Sequence, residues 1–119
     1  MQQYTDHYHK AGGPRDFSDY YTADHELAVM ASSLKKHIVF ARHNLVVDGS
    51  FNEFNLILCR NVMIYFNKTL QDWVHGLIYG SLAPSGVLCL GRSESLRFTA
   101  HETEYEELNA RERIYRRKR

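Results

Sequence analysis

Three short polar segments each follow an apolar run, and each carries side chains that could hold or orient a ligand. His43-Asn44-Leu45 comes after Ile38-Val39-Phe40. Cys59-Arg60-Asn61 comes after the run that begins at Phe54, with Tyr65 soon after. Gly91-Arg92-Ser93-Glu94-Ser95 comes after Val87-Leu88-Cys89-Leu90. An amide, a thiol, a guanidinium and a phenol placed this way suit a pocket, because ligands of open α/β sheets settle beyond the carboxyl ends of the strands. Ordinary roles compete with that reading. A single Asn after a strand is commonly a turn residue, and a lone Cys is commonly a small core residue. Tyr65, inside Ile64-Tyr65-Phe66, could belong to the core. Arg60 is harder to explain as packing, since a charge directly after an apolar run is costly to bury unpaired.

Other chemistries find little support. The seven histidines include no pair at helical metal-ligand spacing, and no cysteine pair joins them, so no metal site is expected. No serine sits in a nucleophile-elbow pattern. The chain also has no glycine-rich dinucleotide loop and no phosphate-binding P-loop. The walls of a cofactor pocket are suggested, without its usual cradle.

The elements that would position these residues alternate. Residues 1–10 are polar and His-rich and read as the end of a helix. Ala11-Gly12-Gly13-Pro14 is a loop. Phe17 to Thr22 reads as a short extended piece, Glu26 to Ala31 is ambiguous, and Ser32 to Lys36 reads as a turn or short helix. Ile38-Val39-Phe40 is β-branched and aromatic and reads as a strand, and Asp48-Gly49-Ser50 reads as a turn. Phe54 to Cys59 reads as a strand buried on both faces. Leu70, Trp73, Val74, Leu77, Ile78 and Leu82 draw one stripe along a helix that Asn67 caps. Ala83-Pro84-Ser85-Gly86 ends that helix, and Val87 to Leu90 is a further buried strand. A strand, a helix and a strand in this order make a parallel βαβ unit. Tyr105 to Asn109 and Arg113 to Arg117 read as an antiparallel hairpin.

The totals agree with a globular α/β chain. It has 119 residues, with 44% hydrophobic, 24% charged and a net charge of +1. No global field points to nucleic acid or a membrane surface. The segment from Arg111 to Arg119 is strongly basic; it reads as a solvated, frayed terminus, with phosphate binding as the alternative. Two cysteines inside apolar runs suit a reducing compartment. No apolar stretch is long enough to span a bilayer. Cytoplasmic placement is expected.

The run Phe54-Asn55-Leu56-Ile57-Leu58-Cys59-Arg60-Asn61-Val62-Met63-Ile64-Tyr65-Phe66 closely resembles the CheR family of chemotaxis receptor methyltransferases. His43-Asn44-Leu45, Pro84 to Leu96, and Glu106 to Tyr115 agree with the same family in order and spacing. The likeness covers roughly residues 37–117, and more weakly Phe17 to Tyr21.

The resemblance implies the C-terminal part of a Rossmann-like class I methyltransferase sheet, ending in an antiparallel β-hairpin. Residues 1–36 would be an irregular lead-in and residues 37–119 the α/β core, together the C-terminal half of the catalytic domain. The glycine-rich half would lie upstream. Self-association of such a piece is expected from its open sheet edge.

The resemblance further implies methyl transfer from S-adenosylmethionine to glutamate side chains of methyl-accepting chemotaxis receptors or another protein acceptor. A non-catalytic interaction or regulatory fragment is the alternative. Carried over by position, Asn44 and Leu45 would line the adenine side. Cys59 and Arg60 would lie against the cofactor, and Asn61 would hold the loop. Tyr65 would face the methyl group as the catalytic residue. The family's antiparallel receptor-docking insertion has no expected counterpart between Phe17 and Val39.

Overall fold

The computed structural model describes residues 1–24, 27–45, 49 and 53–119. Part of the expected turn at Asp48-Gly49-Ser50, and Glu26 of the ambiguous stretch, lie outside the described residues. The chain forms two compact units, Met1–Arg42 and His43–Arg119.

In the first unit, helix α1 (Gln2–Lys10) is followed by a 3₁₀ turn (Phe17–Tyr20) and two short strands, β1 (Tyr21–Ala23) and β2 (Ala28–Met30). Residues 1–36, expected to be irregular, therefore carry regular structure. Aromatic side chains hold it together. The Tyr8 ring packs against Phe17 and Tyr20, each at 5.7 Å between ring centres, and its hydroxyl accepts from the Arg15 N–H at 2.9 Å. Strands β1 and β2 pair antiparallel, Tyr21 opposite Met30. An antiparallel ribbon thus lies in the stretch where none was expected. Three-residue strands give too few alternations for a period to register.

Ile38-Val39-Phe40 does not form the expected strand: it takes no regular structure, and all three side chains are exposed. β-branched and aromatic residues favour strands mainly through packing against neighbours. Among the described residues, no strand pairs with this segment.

The second unit is built on strand β3 (Phe54–Cys59), helix α2 (Lys68–Ser81), and strands β4 (Leu82–Leu90), β5 (Tyr105–Asn109) and β6 (Ile114–Arg117). The sheet order is β3-β4-β6-β5. β3 and β4 are parallel, with Leu56 opposite Val87 and Cys59 opposite Leu90. The last two pairings, β4 with β6 and β5 with β6, are antiparallel.

Helix α2 starts where the Asn67 side chain accepts the Leu70 N–H at 2.9 Å, which satisfies one of the orphan donors of the first turn. Its apolar stripe lies on the sheet, and Val74, Ile78, Leu82, Leu88, Leu90, Leu96, Tyr105 and Tyr115 form the core with Met63. The breaker sequence does end the helix, but it is drawn into β4 as an irregularity. The register jumps between Phe54–Leu82 and Leu56–Val87, and Ser85 sits at φ 64.

At the far end of α2, the Arg117 guanidinium donates to the carbonyls of Tyr79 and Leu82 and lies 4.1 Å from the centre of the Tyr79 ring. A cation at a helix C-terminus satisfies its last carbonyls and complements its dipole. The basic tail is therefore docked at Arg117 rather than frayed.

One further difference concerns β3. Ile57 and Cys59 pack against the core, but Leu56 and Leu58, on the other face, are exposed. Within the described chain the strand is covered on one side only. Its apolar run marks two faces, but the sequence does not say whether this chain supplies both covers.

Candidate functional site

The parallel pair β3 and β4 brings two loops to one end of the sheet. The first runs from Arg60 through a 3₁₀ turn at Met63–Tyr65, and the second from Gly91 to Phe98. Glu94 ties them together. One carboxylate oxygen accepts the N–H groups of Asn61 and Gly91, both at 2.8 Å. The other accepts those of Val62 at 3.2 Å and Met63 at 2.9 Å.

Glu94 is 6% exposed, so its charge is held by backbone dipoles instead of water. Asn61 takes the left-handed conformation, φ 60, which turns three successive N–H groups onto the carboxylate. Asn tolerates that conformation better than most residues. A Cβ on Gly91 would stand 2.3 Å from Asn61 Oδ1 and 2.9 Å from its backbone nitrogen; only glycine leaves room for the two loops to meet here.

Helix α2 fixes the same loop from the other side. The Gln71 amide donates to the carbonyls of Met63 at 2.9 Å and Phe66 at 3.1 Å. The Trp73 indole donates to the Leu45 carbonyl at 3.0 Å, anchoring the His43-Asn44-Leu45 segment.

The six residues singled out from sequence fall into two groups. Leu45 and Cys59 line one apolar groove of about 260 Å³ between β3 and α2. Asn44 is exposed beside Leu45. Arg60, Asn61 and Tyr65 lie on the turn beyond the strand, and Tyr65 is 82% exposed. Burial, and then the negative charge of Glu94, push the Cys59 thiol up to about 11. The thiolate is the nucleophile, so at neutral pH Cys59 is a neutral wall and not a reactive group.

In the sequence Glu94 stands only as one member of the polar segment Gly91-Arg92-Ser93-Glu94-Ser95. The available signal was a carboxylate between apolar stretches, three residues after the glycine that stops a buried strand. Such a charge must find partners, but three of its four partners lie 31 to 33 residues away.

The model of the CheR methyltransferase SAM-binding domain matches residues 6–114. The chain belongs to the CheR methyltransferase family. It is 47% identical over 116 residues to a protein of Pseudomonas putida named as methyltransferase Cher3, covering 98% of this chain and 42% of that protein. It is 40% identical over 65 residues to chemotaxis protein methyltransferase 1 of Vibrio cholerae, and 35% identical over 65 residues to chemotaxis protein methyltransferase 1 of Pseudomonas aeruginosa. Each of these two matches covers 54% of this chain and 24% of the relative. The chain thus spans less than half the length of these relatives.

The cofactor of this CheR domain is S-adenosylmethionine. The residues present fit one side of it. The described residues of the groove holding Leu45 and Cys59 offer carbon, one neutral thiol and one hydroxyl, with no charged side chain among them, a surface suited to a flat heteroaromatic ring. Among the described residues, no carboxylate lines that groove to take ribose hydroxyls.

Proposed function

We propose that this chain serves in transferring a methyl group from S-adenosylmethionine to glutamate side chains of methyl-accepting chemotaxis receptors. In this reading it forms the C-terminal part of a Rossmann-like class I methyltransferase sheet that ends in the β5–β6 hairpin. The observation that carries the proposal is the Glu94 clasp. It holds the turn bearing Arg60, Asn61 and Tyr65 against the loop after β4, at the carboxyl end of a parallel pair. Ligands of open α/β sheets bind at that end.

The cofactor, when bound, supplies a methyl group on a sulfonium that is already a good leaving group. The chain's part is positioning. Leu45 and Cys59 offer the apolar wall for adenine, with Asn44 at its edge. Arg60 lies against the cofactor beyond the strand, and Asn61 holds the loop in its left-handed turn. Tyr65, exposed on the 3₁₀ turn, offers a phenol to orient the acceptor carboxylate. A glutamate carboxylate is ionised at neutral pH, so no strong base is needed, and alignment does most of the work. The β1–β2 ribbon supports a receptor as partner, since the family's docking insertion is antiparallel. Cytoplasmic placement is part of the same proposal. No helix among the described residues is long and apolar enough to cross a membrane.

Calorimetric titration of the 119-residue chain with S-adenosylhomocysteine tests the reading. One-to-one binding that weakens on Arg60→Gln is expected. Absence of heat at millimolar ligand would mean that these walls do not make a site in this chain.

A further inference from the structure

A second concavity, of about 600 Å³, opens beside the proposed methyl-transfer turn. Its walls include Ile64 from that turn, Gln71 and His75 from α2, Arg97 and Phe98 from the loop after β4, and Arg113 from the β5–β6 connection. Its electrostatics are lopsided. Glu94 is the one carboxylate among its described lining residues, and both its oxygens are occupied by the four backbone N–H groups. Arg97 and Arg113 form no ion pair among the described residues. Arg113 spends only its Nε–H, on the Arg92 carbonyl at 3.2 Å. The cavity therefore presents two guanidinium groups with unused donors and no free anion.

Two further observations show a prepared surface. His75 is 4% exposed, and its Nδ1 has no hydrogen-bond partner, which is unusual for a buried polar atom. Phe98 stands on the rim, 86% exposed, with its backbone at φ 63. A bulky residue in the left-handed region is strained and stays there only when its surroundings hold it. Here the Glu102 carboxylate accepts the Phe98 N–H at 3.0 Å, and Lys68 Nζ donates to its carbonyl at 3.1 Å. The result is an aromatic lip displayed at the mouth of a cationic cavity. Guanidinium forks recognise carboxylates bidentately, and an aromatic beside them covers apolar stem carbons.

We infer that this cavity receives an acidic peptide segment of the methyl acceptor, its carboxylates on Arg97 and Arg113 and its backbone along Phe98. The ligand class stands on the charge and shape of the cavity. Its assignment to the acceptor rests on the methyl-transfer reading, because Ile64 of the wall and Tyr65 share one turn.

The ¹⁵N-labelled 119-residue chain is titrated with a capped hexaglutamate peptide at low salt. Amide shifts at Ser93, Ser95, Arg97 and Phe98 are expected. Arg97 is exposed, so Arg97→Glu should leave the fold intact, and it should weaken binding about tenfold or more through charge reversal. Lys118→Gln together with Arg119→Gln should change it less than about twofold, as rim charges do at this range. Shifts confined to the C-terminal residues, undiminished binding by Arg97→Glu, equal binding of capped hexaglutamine, or no binding would each overturn the inference. Inorganic phosphate producing the same shifts at lower concentration would reassign the cavity to a small oxyanion and overturn it as well. The S-adenosylhomocysteine titration is read separately. Peptide binding in the cavity without cofactor binding counts against the proposed function, and cofactor binding without peptide binding counts against the cavity.

Discussion

Replacing Glu94 with alanine is expected to cost about 3–5 kcal/mol of stability, because four backbone N–H groups lose their acceptor in a place water cannot fully reach. That is a large share of what a small domain possesses, and the variant is expected to be mostly unfolded at moderate urea. Glu94→Gln is the sharper test. It keeps the volume, but its amide nitrogen must face two of the four N–H donors, so about 2–3 kcal/mol should still be lost. Urea denaturation followed by tryptophan fluorescence reads both, since Trp73 of α2 anchors the Leu45 carbonyl. A loss below about 1 kcal/mol for Glu94→Gln, the net worth of one ordinary hydrogen bond, would show that the clasp does not hold the loops.

Gly91→Ala should be nearly as severe, for a different reason. The added methyl would stand 2.3 Å from Asn61 Oδ1, 2.8 Å from Glu94 Oε1 and 2.9 Å from the Asn61 nitrogen. The Asn61 side chain can rotate away. The Asn61 nitrogen and the carboxylate oxygen cannot retreat without lengthening the hydrogen bond between them. Overpacking of this kind costs about 1–3 kcal/mol, and the weakened bonds place Gly91→Ala at the upper end. Because the methyl acts through the clasp, its cost should shrink when Glu94 is already glutamine. A double-mutant cycle would show coupling of about 1 kcal/mol or more between the two sites. Strict additivity would mean that the glycine is needed for some other contact.

The parts of the fold that could be read from sequence are those whose signals are local. The Asn67 cap, the stripe that begins at Leu70 and the breaker at Ala83-Pro84-Ser85-Gly86 follow one another along the chain, and α2 (Lys68–Ser81) runs between the cap and the breaker, with Leu82, the last residue of the stripe, opening β4 instead. Phe54 to Cys59 and Val87 to Leu90 declare themselves as strands by unbroken apolar character. What could not be read depends on company. Ile38-Val39-Phe40 has strand composition but no pairing partner among the described residues, and stays irregular. Tyr21–Ala23 and Ala28–Met30 pair with each other although neither has a strand's usual length. In the site, the family string placed attention on Cys59 to Tyr65. The group that fixes that string is Glu94, which belongs to another loop. Its role is written in distances between segments, which residue spacing does not encode.

The unequal support of β3 and β4 has a consequence for motion. Among the described residues, β4 has a neighbour on each side, while β3 has one neighbour and leaves Leu56 and Leu58 uncovered. Strands with few buried contacts open at lower free energy than the core. In native-state hydrogen exchange, the β3 amides that face β4 should exchange through a local opening, well before those of Leu88 and Leu90. Equal protection of the two strands would contradict this. The turn bearing Arg60, Asn61 and Tyr65 hangs from the looser strand, and its tether is a side chain rooted after the firmer one. Glu94 thus works as a latch between two regions of different opening energy. Any ligand that grips both loops would reach β3 through that latch and slow its opening.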